Sequence, residues 1–148
     1  PGGGGAGRFR GAPGADVVYG PRHDPMTVVA SCDAQHNPPQ GVRGGKAGPP
    51  AQTYKIHKDG TKEKLPGVVE CHLDPGEWIR GIDAGGGGYG DPLERDPERV
   101  LNDVLERWET LERAEKIYGV VFTGTPLEET LAVDAAATTQ RRARLNSA

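Results

Sequence analysis

Residues 53–82 read TYKIHKDGTKEKLPGVVECHLDPGEWIRGI, and this stretch decides the fold class. Thr53 to His57 alternates apolar and polar side chains, the period-two pattern of a strand with one buried face. Lys58-Asp59-Gly60-Thr61 follows, where Asp-Gly suits the positive φ of a tight hairpin turn. Val68 to Leu73 alternates again, Asp74-Pro75-Gly76 turns the chain, and Glu77 to Ile82 supplies a further strand. Tyr54 to Ile82 is therefore expected to form a small antiparallel meander. It runs into the glycine-rich Gly85 to Gly90, GGGGYG.

Upstream, two short runs have strand character: Asp16 to Tyr19 (DVVY) and Met26 to Ala30 (MTVVA), separated by Pro21 and Pro25. Asn37 to Pro50, NPPQGVRGGKAGPP, suits neither helix nor regular strand. Its prolines hold φ near about −65°, which leaves extended polyproline-II segments and tight turns as the physical options. Gly-rich sequence with Arg8, Phe9 and Arg10 embedded in it opens the chain.

Downstream the character changes. Asp96-Pro97 starts a helix, with Asp as N-cap and Pro in the first turn, where its missing N–H costs nothing. Val100, Leu101, Val104, Leu105 and Trp108 recur at helical spacing and define one apolar face. Thr110 caps a second short helix with Leu111, Ala114, Ile117 and Tyr118 on its face and Gly119 as its stop. Val120 to Phe122 is expected as a short strand, and Asp134 begins a last Ala- and Arg-rich helix with a weak apolar face. The fold class expected is mainly β, with irregular Gly/Pro-rich, polyproline-II-like segments followed by short C-terminal α-helices. It divides into a Gly/Pro-rich region with short strands (1–50), a β-meander ending in the Gly-rich loop (51–90), and short helices with a tail (91–148). The three form one structural unit docked on a partner.

Composition gives the reason for a partner. Among 148 residues 34% are apolar and 5% aromatic, against about 45–50% apolar in ordinary soluble domains. Glycine and proline make up about a quarter of the chain, and glycine loses the most freedom on folding. A net charge of −3, with only Arg141, Arg142 and Arg144 clustered, does not support nucleic-acid binding. No apolar stretch approaches the ~20 residues of a membrane span. Two cysteines, Cys32 and Cys71, make no disulfide framework, so each is expected as a free thiol buried in a strand of a cytoplasmic protein.

Motifs that could carry chemistry fail on physical grounds. Gly85, Gly87 and Gly90 match GxGxxG, but Asp91-Pro92 follows at once and the helix begins several residues later. Gly41 to Lys46 (GVRGGK) is one residue short of a P-loop, with Ala47 where a magnesium-binding hydroxyl is needed. Cys32, His36, Cys71 and His72 offer zinc ligands, yet adjacent Cys71 and His72 would face opposite sides of a strand. Cys32, Asp33 and His36 offer a thiol, an orienter and a base, without an identifiable oxyanion hole. His23 and His57 belong to no constellation and read as ordinary polar positions.

Four stretches together resemble the C-terminal region of the hydantoinase B/oxoprolinase family. They are GAGRFRGAPG (5–14), DAQHNPPQGVRGG (33–45), GGGGYGDPLERD (85–96), and the continuation PERVLNDVLERWETLERAEKIYGVV (97–121). GGGGYGDP with its two following helices is the specific part. Two departures from the family pattern stand out: Ala34 and Gln35 where basic residues are frequent, and Arg43 at a position often apolar.

The resemblance implies a C-terminal part, or a separately encoded small subunit, of a much longer protein. It implies a hydantoinase A-like ATPase subunit and the N-terminal part of a hydantoinase B-like subunit as partners. It further implies ATP and a divalent metal in the complex, both bound by other chains or regions and neither by this chain. The reaction implied is hydrolysis of a cyclic amide such as a hydantoin, 5-oxoproline or a lactam. The alternatives are carboxylation of a ketone such as acetone or acetophenone, and a purely structural role within either complex. No catalytic residue and no metal ligand is carried over. Pocket-lining candidates are His36 and Arg43 beside the Pro-Pro turn, and Gly87, Gly88, Tyr89 and Asp91 of the Gly-rich loop, where an Arg could hold a carboxylate or phosphate in bidentate fashion.

Overall fold

The computed structural model describes residues 2–147. Residues 1 and 148, the outer limits of the first and third expected regions, lie outside them. The described architecture is mixed: antiparallel sheets dominate the first two thirds, and three α-helices follow.

A four-stranded antiparallel sheet takes β1 (Asp16–Tyr19), β3 (Gln52–Ile56), β4 (Lys62–Leu65) and β6 (Trp78–Ile82), in the order β1-β6-β3-β4. The remaining long strands, β2 (Met26–Ser31) and β5 (Val68–Leu73), pair with each other. The expected meander over 54–82 does not form. The Asp59-Gly60 hairpin is present, with φ +84° at Gly60 and the Asp59 carboxylate accepting from the Thr61 N–H at 2.9 Å. However, β5 leaves the sheet after β4 and joins β2, and β6 returns to the other side of β3. Burial explains the departure. Cys71 and Leu73 of β5, with Val28 of β2, lie buried against Leu65 and Ile79 of the larger sheet, so the β2–β5 ribbon packs on the sheet as a second layer.

The helical part has its own core of Ala6, Val100, Val104, Ala114, Tyr118 and Val120. Helix α1 (Pro97–Leu105) starts where the Asp96 side chain accepts from the Glu98 N–H at 3.0 Å. Thr110 caps α2 (Leu111–Tyr118) by accepting from the Arg113 N–H at 3.2 Å, and Gly119 ends it at φ +62°. Asp134 caps α3 (Ala135–Asn146) through the Ala137 N–H at 2.9 Å. Trp108 is not on the α1 face, because the chain unwinds after Leu105 and Arg107 takes φ +62°. Trp108 stands instead beneath the Arg10 guanidinium, 5.6 Å from its ring centre. The strand expected at 120–122 is shifted: β7 (Phe122–Thr123) pairs with β8 (Ala132–Val133), while Val120 is fully buried in the helical core.

Between the two cores lie the Gly/Pro-rich segments, joined by backbone hydrogen bonds although they are far apart in sequence. Gly5 N–H donates to the Gly86 carbonyl (2.8 Å), Gly88 N–H to Lys46 (2.9 Å), and Lys46 N–H to Ala6 (2.7 Å). Arg10, Arg95 and Asp103 tie this layer to α1. The Asp103 carboxylate receives Arg10 at 3.0 Å and Arg95 at 2.9 Å, and Arg95 also donates to the Arg8 carbonyl. Tyr118 lies beside them with its hydroxyl buried and unbonded, and burial raises its pKa to about 12.

Candidate functional site

The Gly-rich segments converge on Tyr89, which is bridged on one side by Phe9 and on the other by Val42. Phe9 and Tyr89 exchange backbone hydrogen bonds (3.0 and 2.9 Å), and the Val42 N–H donates to the Gly88 carbonyl at 2.9 Å. These approaches require glycine at two of the expected positions. A Cβ on Gly87 would stand 2.0 Å from the Gln40 carbonyl oxygen, and one on Gly88 2.0 Å from that of Ala6.

The packing sets Phe9, Val42 and Tyr89 side by side as exposed apolar groups. The Phe9 and Tyr89 rings lie 6.3 Å apart at 51°, a tilted aromatic pair. Arg43 reaches over Tyr89 with its guanidinium carbon 5.5 Å from the ring centre, and Arg8 stands over Phe9 at 5.7 Å. Arg43 does so from φ +51°, a left-handed conformation that costs a residue with a Cβ energy and clusters at functional places. Arg8 meets Glu94 at an exposed 3.8 Å.

The structure thus brings Arg43, Gly87, Gly88 and Tyr89 together. Asp91 adjoins them through its backbone, but its carboxylate accepts from the Leu93 N–H at 2.9 Å and caps the 3-10 turn that follows. His36 stands elsewhere, exposed beside Gly67, its N–H bonded to the Asp33 carbonyl. Sequence reasoning missed Phe9 and Arg8 as members of this surface. Their setting within glycines was the available signal, since large side chains inside a Gly-rich run mark where the run meets something other than itself.

The remaining candidate groups do not assemble. Cys32 is half-buried just past β2, and the Asp33 carboxylate binds Asn37 at 2.9 Å rather than His36. Cys71 is buried and His72 exposed, on opposite faces of β5 as expected. Among the described residues no three His, Cys, Asp or Glu side chains lie close enough to hold a metal ion. His57, expected to be unremarkable, sits between Glu63 (3.2 Å) and Glu77 (3.4 Å). The Asp74 N–H and the Lys55 ammonium hold Glu77 down to a pKa of about 2, and Glu77 in turn raises that of Lys55. This charge cluster fastens the β3–β4 hairpin to the turn before β6. No helix among the described residues is long and apolar enough to cross a membrane.

The Arg43–Tyr89 surface offers a guanidinium stacked on an exposed aromatic ring. Residues 1–92 match the hydantoinase B/oxoprolinase family. The caprolactamase beta subunit of Pseudomonas jessenii is 36% identical over 125 residues, covering 82% of this chain and 22% of that protein. A Pseudomonas sp. (strain NS671) protein provisionally described as a D-/L-hydantoinase B component is 48% identical over 60 residues, covering 40% of this chain and 10% of that one. Among solved structures, the ATP-dependent caprolactamase of Pseudomonas jessenii superposes with a TM-score of 0.73 at 33% identity, over 95% of this chain and 24% of that one. A nucleotide-free acetone carboxylase shares the fold, with a TM-score of 0.65 at 17% identity over 99% of this chain and 24% of its own. The chain spans about a fifth to a quarter of the length of the caprolactamase relatives it matches. By the match over residues 1–92, the chain is a member of the hydantoinase B/oxoprolinase family.

Proposed function

We propose that this chain is the C-terminal part, or a small subunit equivalent to it, of a heteromeric ATP-dependent cyclic-amide hydrolase of the hydantoinase/oxoprolinase type. The observation that carries this reading is its sequence kinship with a caprolactamase beta subunit over four fifths of the chain. Its partners in this reading are a hydantoinase A-like ATPase subunit and the N-terminal part of a hydantoinase B-like subunit, in the cytoplasm. The chain alone is inactive. In this reading ATP and the divalent metal belong to other chains or regions of the complex.

Within the complex, the chain shapes and docks. Arg43 and Tyr89, on the Gly87-Gly88 backbone, line the partner's pocket, with Asp91 at its border. His36, exposed beside Gly67, stands apart from them. We read the Gly/Pro-rich segments as polyproline-II-like, a view supported by their prolines, their cross-segment hydrogen bonds and the glycines at each close approach. Residues 1–50, 51–90 and 91–148 then act as one unit.

A ketone carboxylase is the second reading, favoured by the fold shared with an acetone carboxylase. Turnover of the assembled complex separates the two. ATP hydrolysis stimulated by a lactam or hydantoin supports the hydrolase, whereas turnover requiring bicarbonate and a ketone supports the carboxylase. A stable, active monomer of this chain would overturn both.

A further inference from the structure

The two layers of the β part do not match in width. Val17, Tyr19, Ile79, Gly81 and Thr53 share one face of the four-stranded sheet, as the registers Val17–Gly81–Thr53 and Tyr19–Ile79 dictate. The β2–β5 ribbon covers only part of that face. Ile79 beneath it is 2% exposed, but Val17 and Tyr19 on β1 are 50% and 43% exposed. Between them, a Cβ built on Gly81 would meet nothing within 4 Å. An apolar groove therefore runs along the sheet between β1 and the flank of β2, where Val29, Ala30 and Ser31 form its wall.

That flank is an open strand edge. Cys32 donates to the Gly67 carbonyl at 2.6 Å, and the antiparallel register continues from there through Ala30–Val69 and Val28–Cys71. Alternation in an antiparallel ladder then turns the backbone groups of Thr27, Val29 and Ser31 away from β5, toward the groove. In the described order β2 has β5 as its neighbour on one side and no strand on the other.

We propose that an extended strand with alternating apolar side chains, contributed by the rest of a hydantoinase B-type subunit, adds to the free edge of β2. It places its inward side chains on Val17, Tyr19 and the gap above Gly81. This rests on the functional reading above, which supplies that partner. Three observations favour such an occupant. The caprolactamase relatives are nearly four times as long as this chain, so most of their mass is available to cover it. The groove offers paired backbone groups as well as apolar surface, which a strand satisfies together. Asp83 is the one charged residue on its lining, which suits an uncharged insert.

Two substitutions test it on the full chain, co-expressed with a hydantoinase A-like subunit and the N-terminal part of a hydantoinase B-type subunit. Val29→Pro removes one outward N–H, a change tolerated on an edge. Gly81→Ile fills the groove from below, from a position where the added Cβ meets no atom of this chain within 4 Å. Thermal unfolding of each isolated variant shows that it folds, and Val18→Thr, on the outer face of β1, serves as control.

The proposal expects both variants to weaken assembly at least about tenfold, as loss of one buried backbone hydrogen bond implies, while the control binds normally. It also expects hydrogen exchange at 26–31 to slow in the wild-type complex, and a photo-crosslinker at position 81 to reach the B-type part. A complex that forms while 26–31 exchange as in the free chain overturns this inference and leaves the functional reading standing. So does a crosslink to a second copy of this chain. Failure of the wild-type chains to assemble at all overturns both.

Discussion

The guanidinium of Arg10 meets the carboxylate of Asp103 at 3.0 Å across 93 positions of sequence. This pair, with Arg95 on the other carboxylate oxygen at 2.9 Å, fastens the N-terminal Gly-rich segment to helix α1. Asp103 and Arg95 are both buried, so removing the carboxylate leaves two cations without their partner. Breaking such a buried pair typically costs about 3–5 kcal/mol. Asp103→Ala is expected to lower stability by about 3 kcal/mol or more, read as a shift of the urea midpoint at unchanged slope. A loss below about 1 kcal/mol would show that the pair is not what joins the segments.

Gly88 and Gly86 offer a matched comparison two residues apart. A Cβ on Gly88 would lie 2.0 Å from a backbone carbonyl oxygen, whereas on Gly86 the nearest atom is 3.3 Å away. Backbone cannot swing aside as a side chain can, so Gly88→Ala is expected to cost about 3 kcal/mol or to prevent folding. Gly86→Ala should cost no more than about 1 kcal/mol. Equal melting temperatures for the two variants would contradict the close packing of these segments.

Glu77 makes stability depend on acid. Its pKa falls to about 2 in the folded chain, through the Asp74 N–H first and the Lys55 ammonium second, against an ordinary value of 4.5. A carboxylate with a depressed folded pKa contributes stability that is fully present above the unfolded pKa and is lost as pH falls through the folded one. The contribution therefore declines between pH 4.5 and about 2. Glu77→Gln is expected to be less stable at pH 6 and to show a flatter stability profile across that window. Parallel profiles for the two proteins in chemical denaturation would refute the assignment.

Arg43 separates folding from function. Its φ of +51° favours glycine, and relieving it contributes up to about 1 kcal/mol. The stacking of its guanidinium on Tyr89, lost in Arg43→Gly, is worth about the same at an exposed site. The two changes offset, so Arg43→Gly should leave the melting temperature of the chain nearly unchanged. If Arg43 lines the partner's pocket, kcat/KM of the assembled complex falls at least about tenfold, a loss of roughly 1.4 kcal/mol in transition-state binding. Unchanged turnover would place Arg43 outside the pocket.

Local chemistry was legible in the sequence. The caps at Asp96, Thr110 and Asp134, the stop at Gly119 and the turn at Asp59-Gly60 are where they were expected, because each is decided by a side chain and the backbone within four residues of it. So was the Gly-rich loop, together with the family it belongs to. Strand partnership was not legible. β5 alternates equally well for either neighbour, and only the burial of Cys71 and Leu73 against Leu65 and Ile79 sends it to β2. The Arg43–Tyr89–Phe9 surface was half legible: two of its members stand in motifs, while Phe9 arrives from 80 positions away through a backbone bridge. His36 was grouped with them because it neighbours the Pro-Pro turn in sequence, and the 3-10 turn at Asp33–Gln35 carries it to another side. Sequence alone determined the helix caps, the helix stop and the hairpin turn, each set by residues within a few positions of it. Tertiary structure decided which segments met, because pairing and burial depend on surfaces that no local stretch contains.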